Sequence, residues 1–306
     1  MCIRDSPSYW DADRVKLNEI HFLPIDNVSR EDFMFRSGQI HVTSSIPTEK
    51  IEVYKKEYPQ NISISPYYGT YYYRFNLNKK PLDNKLIRKA LSLSIDREKI
   101  TDKVAKGGQI PSFSFTPPAP NGYFPPTKLE FNPTKAKELL RQAGYSEGEL
   151  PTFELLYNTS EGHQKIAEAM QQMWKETLGV DIVLTNTDWK VYLSRENNGD
   201  FEISRAGWIG DYQDPKTFLD MMVSGRGNNK TGWSNPEYDS LLIKASQATS
   251  QEQRYAYLYE AEKILIDELP IIPIYTYTRI YMKHESVKGW EPNLLDSHAY
   301  QYISIE

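Results

Sequence analysis

The stretch Ser204-Arg-Ala-Gly-Trp-Ile-Gly-Asp-Tyr-Gln-Asp-Pro215 decides how the rest of the chain is interpreted. The apolar and β-branched residues at 201–208 predict a strand. Further on, Asp214 and Pro215 predict the N-cap and the first turn of a helix. The sequence therefore predicts a strand, a turn and a helix, which is a unit typical of α/β proteins.

The turn between strand and helix combines groups that suit an amine beside an apolar surface. Gly207 and Gly210 allow a ligand to approach the backbone closely, and the indole of Trp208 offers a flat apolar face. The carboxylate of Asp211 can pair with a cation that has been removed from water. A glycine-rich turn of this kind also occurs as plain structure, so the stretch alone leaves both interpretations open.

Composition bounds the class of protein. The chain of 306 residues is long enough for about two domains, and 39% hydrophobic with 25% charged residues is typical of globular proteins. A net charge of -5 and the lack of a dense Lys/Arg run argue against a nucleic-acid partner. No apolar run approaches the ~20 residues of a membrane-spanning helix.

Enzyme signatures are missing from the sequence. It contains no H-E-x-x-H, G-x-S-x-G or G-x-x-x-x-G-K-[ST] motif, and five scattered histidines with one cysteine do not form a metal or thiol site by spacing. A carbohydrate-active hydrolase with a pair of acids stays as an alternative, although 41 Asp and Glu make some such pair unavoidable. We therefore expect no enzyme, no cofactor and no metal.

Five further blocks accompany the opening stretch: residues 66–76, 81–97, 157–160, 232–239 and 269–275. The first is crowded with tyrosine, and the second reads P-x-D-x-x-x-x-R-x-A-L, close to a known signature. In their order and spacing, the six blocks resemble the oligopeptide-binding proteins, the extracytoplasmic solute receptors of family 5 of peptide ABC transporters.

The resemblance implies an α/β fold with the two-lobe architecture of the type II periplasmic binding proteins. We expect residues 1–76 to form the first part of the large lobe, residues 77–270 a second α/β lobe, and residues 271–306 a return segment to the large lobe. Two crossings between lobes, near Asn76 and near Pro270, would act as a hinge. Within the first lobe, alternating apolar residues predict strands at 15–23 and 40–44.

The match begins near Tyr9, in the middle of the family pattern. We therefore expect the fold to be incomplete at the N-terminus and this chain to be the C-terminal part of a longer protein, which we call the full-length parent. Residues 1–6 are expected to be foreign to it. A signal peptide is expected in the missing N-terminal part.

The implied function is peptide transport. The chain would belong to the substrate-binding component of an ABC importer, a periplasmic or extracytoplasmic protein that binds oligopeptides in a cleft between its lobes. Its partners would be a peptide ligand and the permease subunits of the transporter, and the full-length parent would be a monomer. An alternative keeps the class but changes the cargo to a dipeptide, a nickel complex or an oligosaccharide.

The resemblance also implies roles for single residues. Asp211 follows Trp208 by three positions, as the amine-binding Asp does in the family, and a cationic peptide amine needs such an anion when it is enclosed. The backbones of Gly207 and Ile209 match positions that pair with the peptide as an added strand. Other positions match residues that line or border the family's pocket: Arg205, His163, Tyr67, Tyr72 and Asn229.

Two expectations limit these assignments. Asp211 should lie beside Trp208 and near the tyrosine-rich strand, away from bulk solvent, and about half of the tyrosines should belong to the core instead.

The sequence also departs from the family. Gly69 and Ile209 stand where some relatives have a cysteine pair, and Ala105 and Glu196 stand where some have a basic residue for the ligand C-terminus, so no peptide length is implied.

Overall fold

The computed structural model describes residues 8–119, 121–125 and 127–306, so the segment expected to be foreign, residues 1–6, lies outside the described residues. By their packing, the described residues divide into two compact units. One holds the chain up to Tyr67 together with Thr278–Glu306, and the other is Tyr68–Tyr277. Both borders fall inside long strands, and the lobe ranges inferred from the sequence stay a prediction.

A mixed sheet forms the centre of the Tyr68–Tyr277 unit. Its strand order is β2-β6-β1-β5-β3-β4. Strand β3 runs parallel to β4 and β5, whereas β1 pairs antiparallel with β5 and β2 antiparallel with β6. The strands are β1 Ile62–Phe75, β2 Ile110–Pro111, β3 Phe153–Asn158, β4 Ile182–Thr187, β5 Ile203–Ile209 and β6 Ile271–Met282.

Helices surround this sheet and also form part of the other unit. They are α1 Val28–Arg36, α2 Ile51–Glu57, α3 Lys85–Leu93, α4 Arg97–Lys99 continued by a π-helical turn at Ile100–Ala105, α5 Pro133–Gln142, α6 Glu161–Leu178, α7 Trp189–Asn197, α8 Lys216–Leu219, α9 Pro236–Gln247 and α10 Gln251–Glu268. The predicted α/β fold is confirmed. Among the described helices, none combines the length and apolar character needed to cross a membrane.

Asn-Pro pairs start two of these helices, and the Asn side chain caps each one. Asn132 accepts a hydrogen bond from Lys135 N ahead of Pro133, and Asn235 caps α9 in the same way ahead of Pro236. At the opening stretch, Asp214 Oδ1 accepts from Lys216 N at 2.9 Å. The helix there begins at Lys216, one residue later than predicted.

The signature at residues 81–97 has a structural role. The buried guanidinium of Arg88 donates to the carbonyls of Leu82, Asp83, Glu268 and Leu269. Buried Arg97 donates to the Pro273 carbonyl at 2.7 Å. These two arginines tie α3 and α4 to the end of α10 and the start of β6, because charged donors satisfy carbonyls that would otherwise be buried without partners.

Two predicted strands of the other unit are not formed. Residues 15–23 contain no strand, and residues 40–44 contain only an isolated bridge from Val42 to Lys283. Val15, Ile20 and Phe22 are exposed. An alternating apolar pattern becomes a strand only when a neighbouring strand supplies hydrogen bonds, and among the described residues none does so for 15–23.

The register of β1 against β5 is fixed at both ends. Gly210 N donates to Tyr68 O at 2.8 Å, and Asn76 N donates to Glu202 O at 2.9 Å. Because hydrogen-bonded pairs alternate along an antiparallel ladder, the directly opposed Gly69 and Ile209 form a non-hydrogen-bonded pair. Such pairs bring the two Cα atoms to about 4.5 Å, a separation that a disulfide spans.

We predict that Gly69→Cys with Ile209→Cys forms a disulfide in the full-length parent. The bond closes a long loop, so we expect the free energy of unfolding to rise by roughly 3–5 kcal/mol. Mass spectrometry without reductant and denaturant unfolding with and without reductant measure the two effects.

Two control variants make this test specific. Gly69→Cys alone should destabilise the fold, because a Cβ at Gly69 overlaps Ile209 Cδ1 and lies 2.9 Å from Trp208 O; the double variant removes the first contact and keeps the second. Thr70→Cys with Ile209→Cys should not crosslink, because those residues lie on opposite faces of the sheet. Crosslinking of the Thr70 pair with equal yield would show that the register is wrong.

Candidate ligand site

One edge of β5 has no partner strand over part of its length. Its pairing with β1 covers Ile203–Ile209, whereas its pairing with β3 ends at Ser204. By the alternation of the β1 ladder, the peptide groups of Gly207 and Ile209 point away from β1. They therefore lie along an edge that no strand of the described chain covers.

A recess of about 310 Å³ lies at the end of this edge, lined by Trp208, Asp211, Tyr212, Thr217, Asp220, Met221, Arg226, Gly227 and Asn228. The hydroxyl of Thr217 holds the turn in place. It accepts hydrogen bonds from Asp211 N at 3.1 Å and from Trp208 Nε1 at 3.4 Å. Thr217 thereby fixes the indole and the acidic residue relative to each other.

Asp211 lies beside Trp208, as expected, but its side chain is exposed. The expected shielding from bulk solvent is therefore absent, because the described residues that line the recess leave the Asp211 side chain open to solvent. The carboxylate is 3.5 Å from Thr217 Oγ1 and forms no ion pair with a described residue. It is available to a cation, and the anchoring of a ligand amine by Asp211 remains a prediction.

Arg205 lies on the opposite face of β5 from Trp208. It pairs with Tyr73 across the ladder, whereas Trp208 pairs with Thr70. Its guanidinium lies 4.5 Å from the Tyr71 ring centroid, Nη2 donates to Tyr277 Oη at 2.7 Å, and Nη1 is 3.4 Å from Asn158 Oδ1. The buried Nε has no hydrogen-bond partner. This cation has aromatic and polar neighbours but no carboxylate partner in the described part of the chain.

Gly207 makes this arrangement possible. An added Cβ there would overlap the hydroxyl of Tyr277 and come within 3.4 Å of Arg205 Nη2. A side chain at this position would displace the Tyr277 hydroxyl and crowd the Arg205 guanidinium. Packing therefore requires glycine here, and the close approach of a ligand to its backbone remains a prediction.

His163 belongs to the Arg205 face. Its Nδ1 lies 3.3 Å from Tyr71 Oη, near the start of α6. Burial and the neighbouring Arg205 guanidinium hold the pKa of His163 well below its ordinary value of 6.5. The imidazole is therefore neutral at physiological pH.

Tyr72 and Tyr67 are the two tyrosines that were predicted to line the pocket. Tyr72 is 1% exposed, its ring packs against Phe115, and its phenol accepts a hydrogen bond from Arg74 at 3.1 Å. The structure thus places Tyr72 in the core and not along the recess. Tyr67 belongs to the other unit and is half-buried, and its role stays a prediction.

Asn229 organises its own loop. Its amide donates to the carbonyls of Met222 and Trp233, and its oxygen accepts from Thr231. The neighbouring Gly227 and Asn228 line the recess instead. The side chain of Asn229 is engaged by the protein as a support for the loop, and its place at the border of the site remains a prediction.

Several recess residues were not predicted from the sequence. Asp220 and Arg226 add charges of both signs to the recess, and Tyr212 and Met221 add apolar surface. A single sequence offers a signal only for Arg226, which lies between two glycines in an exposed loop. In the described residues, no group of three or more His, Cys, Asp or Glu side chains could hold a metal ion.

The depressed pKa of His163 predicts a dependence of stability on pH. The unfolded chain takes up a proton at His163 below about pH 6.5 while the folded chain does not, so the free energy of unfolding should fall between pH 7.5 and 5.5, by at most about 1.4 kcal/mol per unit. Urea unfolding of the full-length parent measures this slope. His163→Gln should reduce it, whereas His284→Gln, at an exposed position, should leave it unchanged. An equal slope in the parent and in His163→Gln would contradict the prediction.

Comparison with known proteins identifies the family. Residues 3–230 match the family model described as bacterial extracellular solute-binding proteins, family 5 Middle. The oligopeptide-binding protein OppA of Bacillus subtilis (strain 168) is 38% identical over 300 residues, which cover 94% of this chain and 55% of OppA. The periplasmic murein peptide-binding protein MppA of Escherichia coli (strain K12) is 40% identical over 299 residues, covering 95% of this chain and 56% of MppA.

Structural comparison agrees with the sequence match. The crystal structure of Haemophilus influenzae OppA in complex with RPPGFSPFR superposes with a TM-score of 0.92 at 35% identity. The match covers 98% of this chain and 60% of that one. The chain spans about half the length of the curated relatives that it matches. The names of the family and of these relatives describe binding proteins and not enzymes. From its sequence, its fold and the family model, the chain belongs to the bacterial extracellular solute-binding proteins of family 5.

Proposed function

We propose that this chain supplies one side of the ligand site of an oligopeptide-binding component of an ABC importer. The observation that carries the proposal is the open edge of β5 at Gly207 and Ile209, which leads directly to the Trp208 and Asp211 recess. Main-chain groups in this arrangement bind an extended peptide without selecting its side chains.

The position of Asp211 sets the direction of the ligand. A peptide amine at Asp211 places the first ligand residue beyond the C-terminal end of β5. The rest of the ligand then extends past Ile209 toward Gly207 and runs antiparallel to β5. Each of these two residues offers one N–H and one C=O to the added strand.

The side chains of an added strand alternate between the two faces of the sheet. On one face they meet the recess with Trp208, and on the other they meet the partly buried Arg205 and Tyr277. The Arg205 guanidinium has no carboxylate partner among the described residues, so it offers a positive charge to an acidic group of the ligand.

The exposed Asp211 carboxylate does not enclose an amine by itself. An ion pair that stays in water contributes little, whereas a pair removed from water by a closing partner surface discriminates strongly against uncharged ligands. We propose that the full-length parent supplies that surface. The chain spans about half the length of its relatives, which supports this view.

We propose that the ligand is a peptide with a free amine. The relatives include one named for oligopeptides and one named for a murein peptide. An extended ligand with a free amine suits the open edge and Asp211 in either case. A dipeptide, a nickel complex or an oligosaccharide is the alternative cargo.

We further propose the setting in which the binding takes place. The full-length parent is a monomer in the periplasm or another extracytoplasmic compartment, directed there by a signal peptide, and it delivers its ligand to permease subunits. No nucleic acid takes part, which agrees with the net charge of -5.

Calorimetry on the full-length parent tests the proposal. We expect tri- to pentapeptides with a free amine to bind in a 1:1 ratio and to be recovered intact afterwards. Oligosaccharides serve as the matched negative ligands. Binding of sugars without peptides, or cleavage of the ligand, would reject the peptide-receptor function.

Asp211→Asn tests the amine anchor. The substitution keeps the size of the side chain and removes its charge, so we expect free-amine peptides to bind at least about tenfold more weakly, which corresponds to ~1.4 kcal/mol. N-acetylated versions of the same peptides should lose little. Titration calorimetry with both sets gives the ratio.

The comparison is Asp220→Asn, which removes a second carboxylate from the same recess, one that pairs with Lys216 Nζ at 3.4 Å. If the negative potential of the recess alone attracts the amine, both variants weaken the binding of free-amine peptides. A larger loss at Asp211, confined to free-amine peptides, identifies it as the anchor. Equal losses for free and acetylated peptides in Asp211→Asn would remove this role.

A further inference from the structure

The open edge of β5 ends at a side chain from a neighbouring helix. The hydroxyl of Tyr192, in α7, donates a hydrogen bond to the carbonyl oxygen of Arg205. This carbonyl belongs to the same alternating set as those of Gly207 and Ile209, which face away from β1. Tyr192 therefore occupies the next acceptor along the edge, two residues before Gly207.

Packing holds Tyr192 rigidly in this position. Its side chain is 2% exposed and packs with Leu156 and Phe201, and its ring stacks on Trp189 with centroids 5.3 Å apart. The helix that carries it starts at Asp188, whose carboxylate caps Lys190 N and Val191 N. Few alternative rotamers are open to a tyrosine packed in this way.

The hydroxyl is a stable donor. Burial, together with the Glu196 carboxylate, raises the pKa of Tyr192, so the phenol stays protonated at every physiological pH. The Arg205 carbonyl is therefore engaged before any ligand arrives. A ligand N–H that reached this carbonyl would compete with a buried hydrogen bond for the acceptor.

We propose that Tyr192 is the stop that ends main-chain pairing with the ligand, and so sets how many ligand residues are bound independently of their sequence. The inference rests on the proposed function. Ligand residues opposite Ile209 and Gly207 exchange main-chain hydrogen bonds with β5. The ligand residue opposite Arg205, two positions further from the amine, does not, and beyond Gly207 the ligand is held only through its side chains and its C-terminus.

Single N-methylation of a hexapeptide ligand, at one amide at a time, tests the stop. A methyl group on an amide that donates to β5 removes one hydrogen bond and should weaken binding by about 3- to 10-fold. In the full-length parent, we expect the sensitive amides to end opposite Gly207. In Tyr192→Leu, which removes the hydroxyl and shortens the side chain within an apolar cluster, a further sensitive amide should appear two residues beyond the last one.

Tyr238→Leu is the matched control. Tyr238 is a fully buried tyrosine of the same unit, and its hydroxyl donates to a backbone carbonyl, that of Leu219, at 2.6 Å. Both variants should lose stability by thermal melting, but the pattern of sensitive amides should stay as in the parent for Tyr238→Leu. A loss of packing alone would weaken every peptide equally and would leave the pattern unchanged.

The outcomes separate the two proposals. If the parent binds no peptide, the proposed function fails. If it binds peptides but the pattern of sensitive amides is the same in the parent and in Tyr192→Leu, the stop is rejected while the function stands. If Tyr192→Leu does not fold, the same scan with Tyr192→Phe, which keeps the ring and removes the donor, decides: an added sensitive amide supports the stop, and an unchanged pattern rejects it.

Discussion

The antiparallel pairing of β1 with β5 is the constraint on which the site depends. It uses the peptide groups of Ser204, Ala206 and Trp208 and leaves those of Gly207 and Ile209 directed to the other side. Strand β3 ends its pairing at Ser204, so these groups have no neighbour strand in the described chain. A receptor for extended peptides needs such an edge, because main-chain groups bind many sequences with similar free energy.

The same strand also separates two chemical environments. Alternation puts Trp208 on one face, next to the acidic residues of the recess, and Arg205 on the other, among tyrosines and His163. An extended ligand therefore meets negative charge and an indole on one side and a guanidinium on the other. In the proposed site, the two faces contact the side chains of the ligand, whereas the edge between them binds its backbone.

Buried charges outside the site support the scaffold. Arg88 and Arg97 donate to backbone carbonyls, and the buried carboxylate of Glu262 accepts from Phe115 N, Thr116 N and Thr116 Oγ1. Each charge is satisfied by the protein, which is the condition under which burial of an ionised group is tolerated. Arg205 differs because its Nε has no partner, and an incompletely satisfied cation beside an open edge is suited to a ligand.

The sequence by itself determined the strand near residues 201–208, the turn that carries Asp211 and the helix that follows, because these depend on neighbours along the chain. It did not determine that Tyr72 packs on Phe115 while Tyr71, equally buried, contacts Arg205, since both have the same local pattern and only the register against β5 distinguishes them. Residues 15–23 show the same limit, because a segment of alternating apolar residues forms a strand only beside a partner strand.

Tyr192 reaches the Arg205 carbonyl through the packing of α7 on the sheet, a contact between residues that share no sequence motif. Tertiary structure alone decided these points, because hydrogen bonds between strands and the packing of side chains join residues that are distant in sequence.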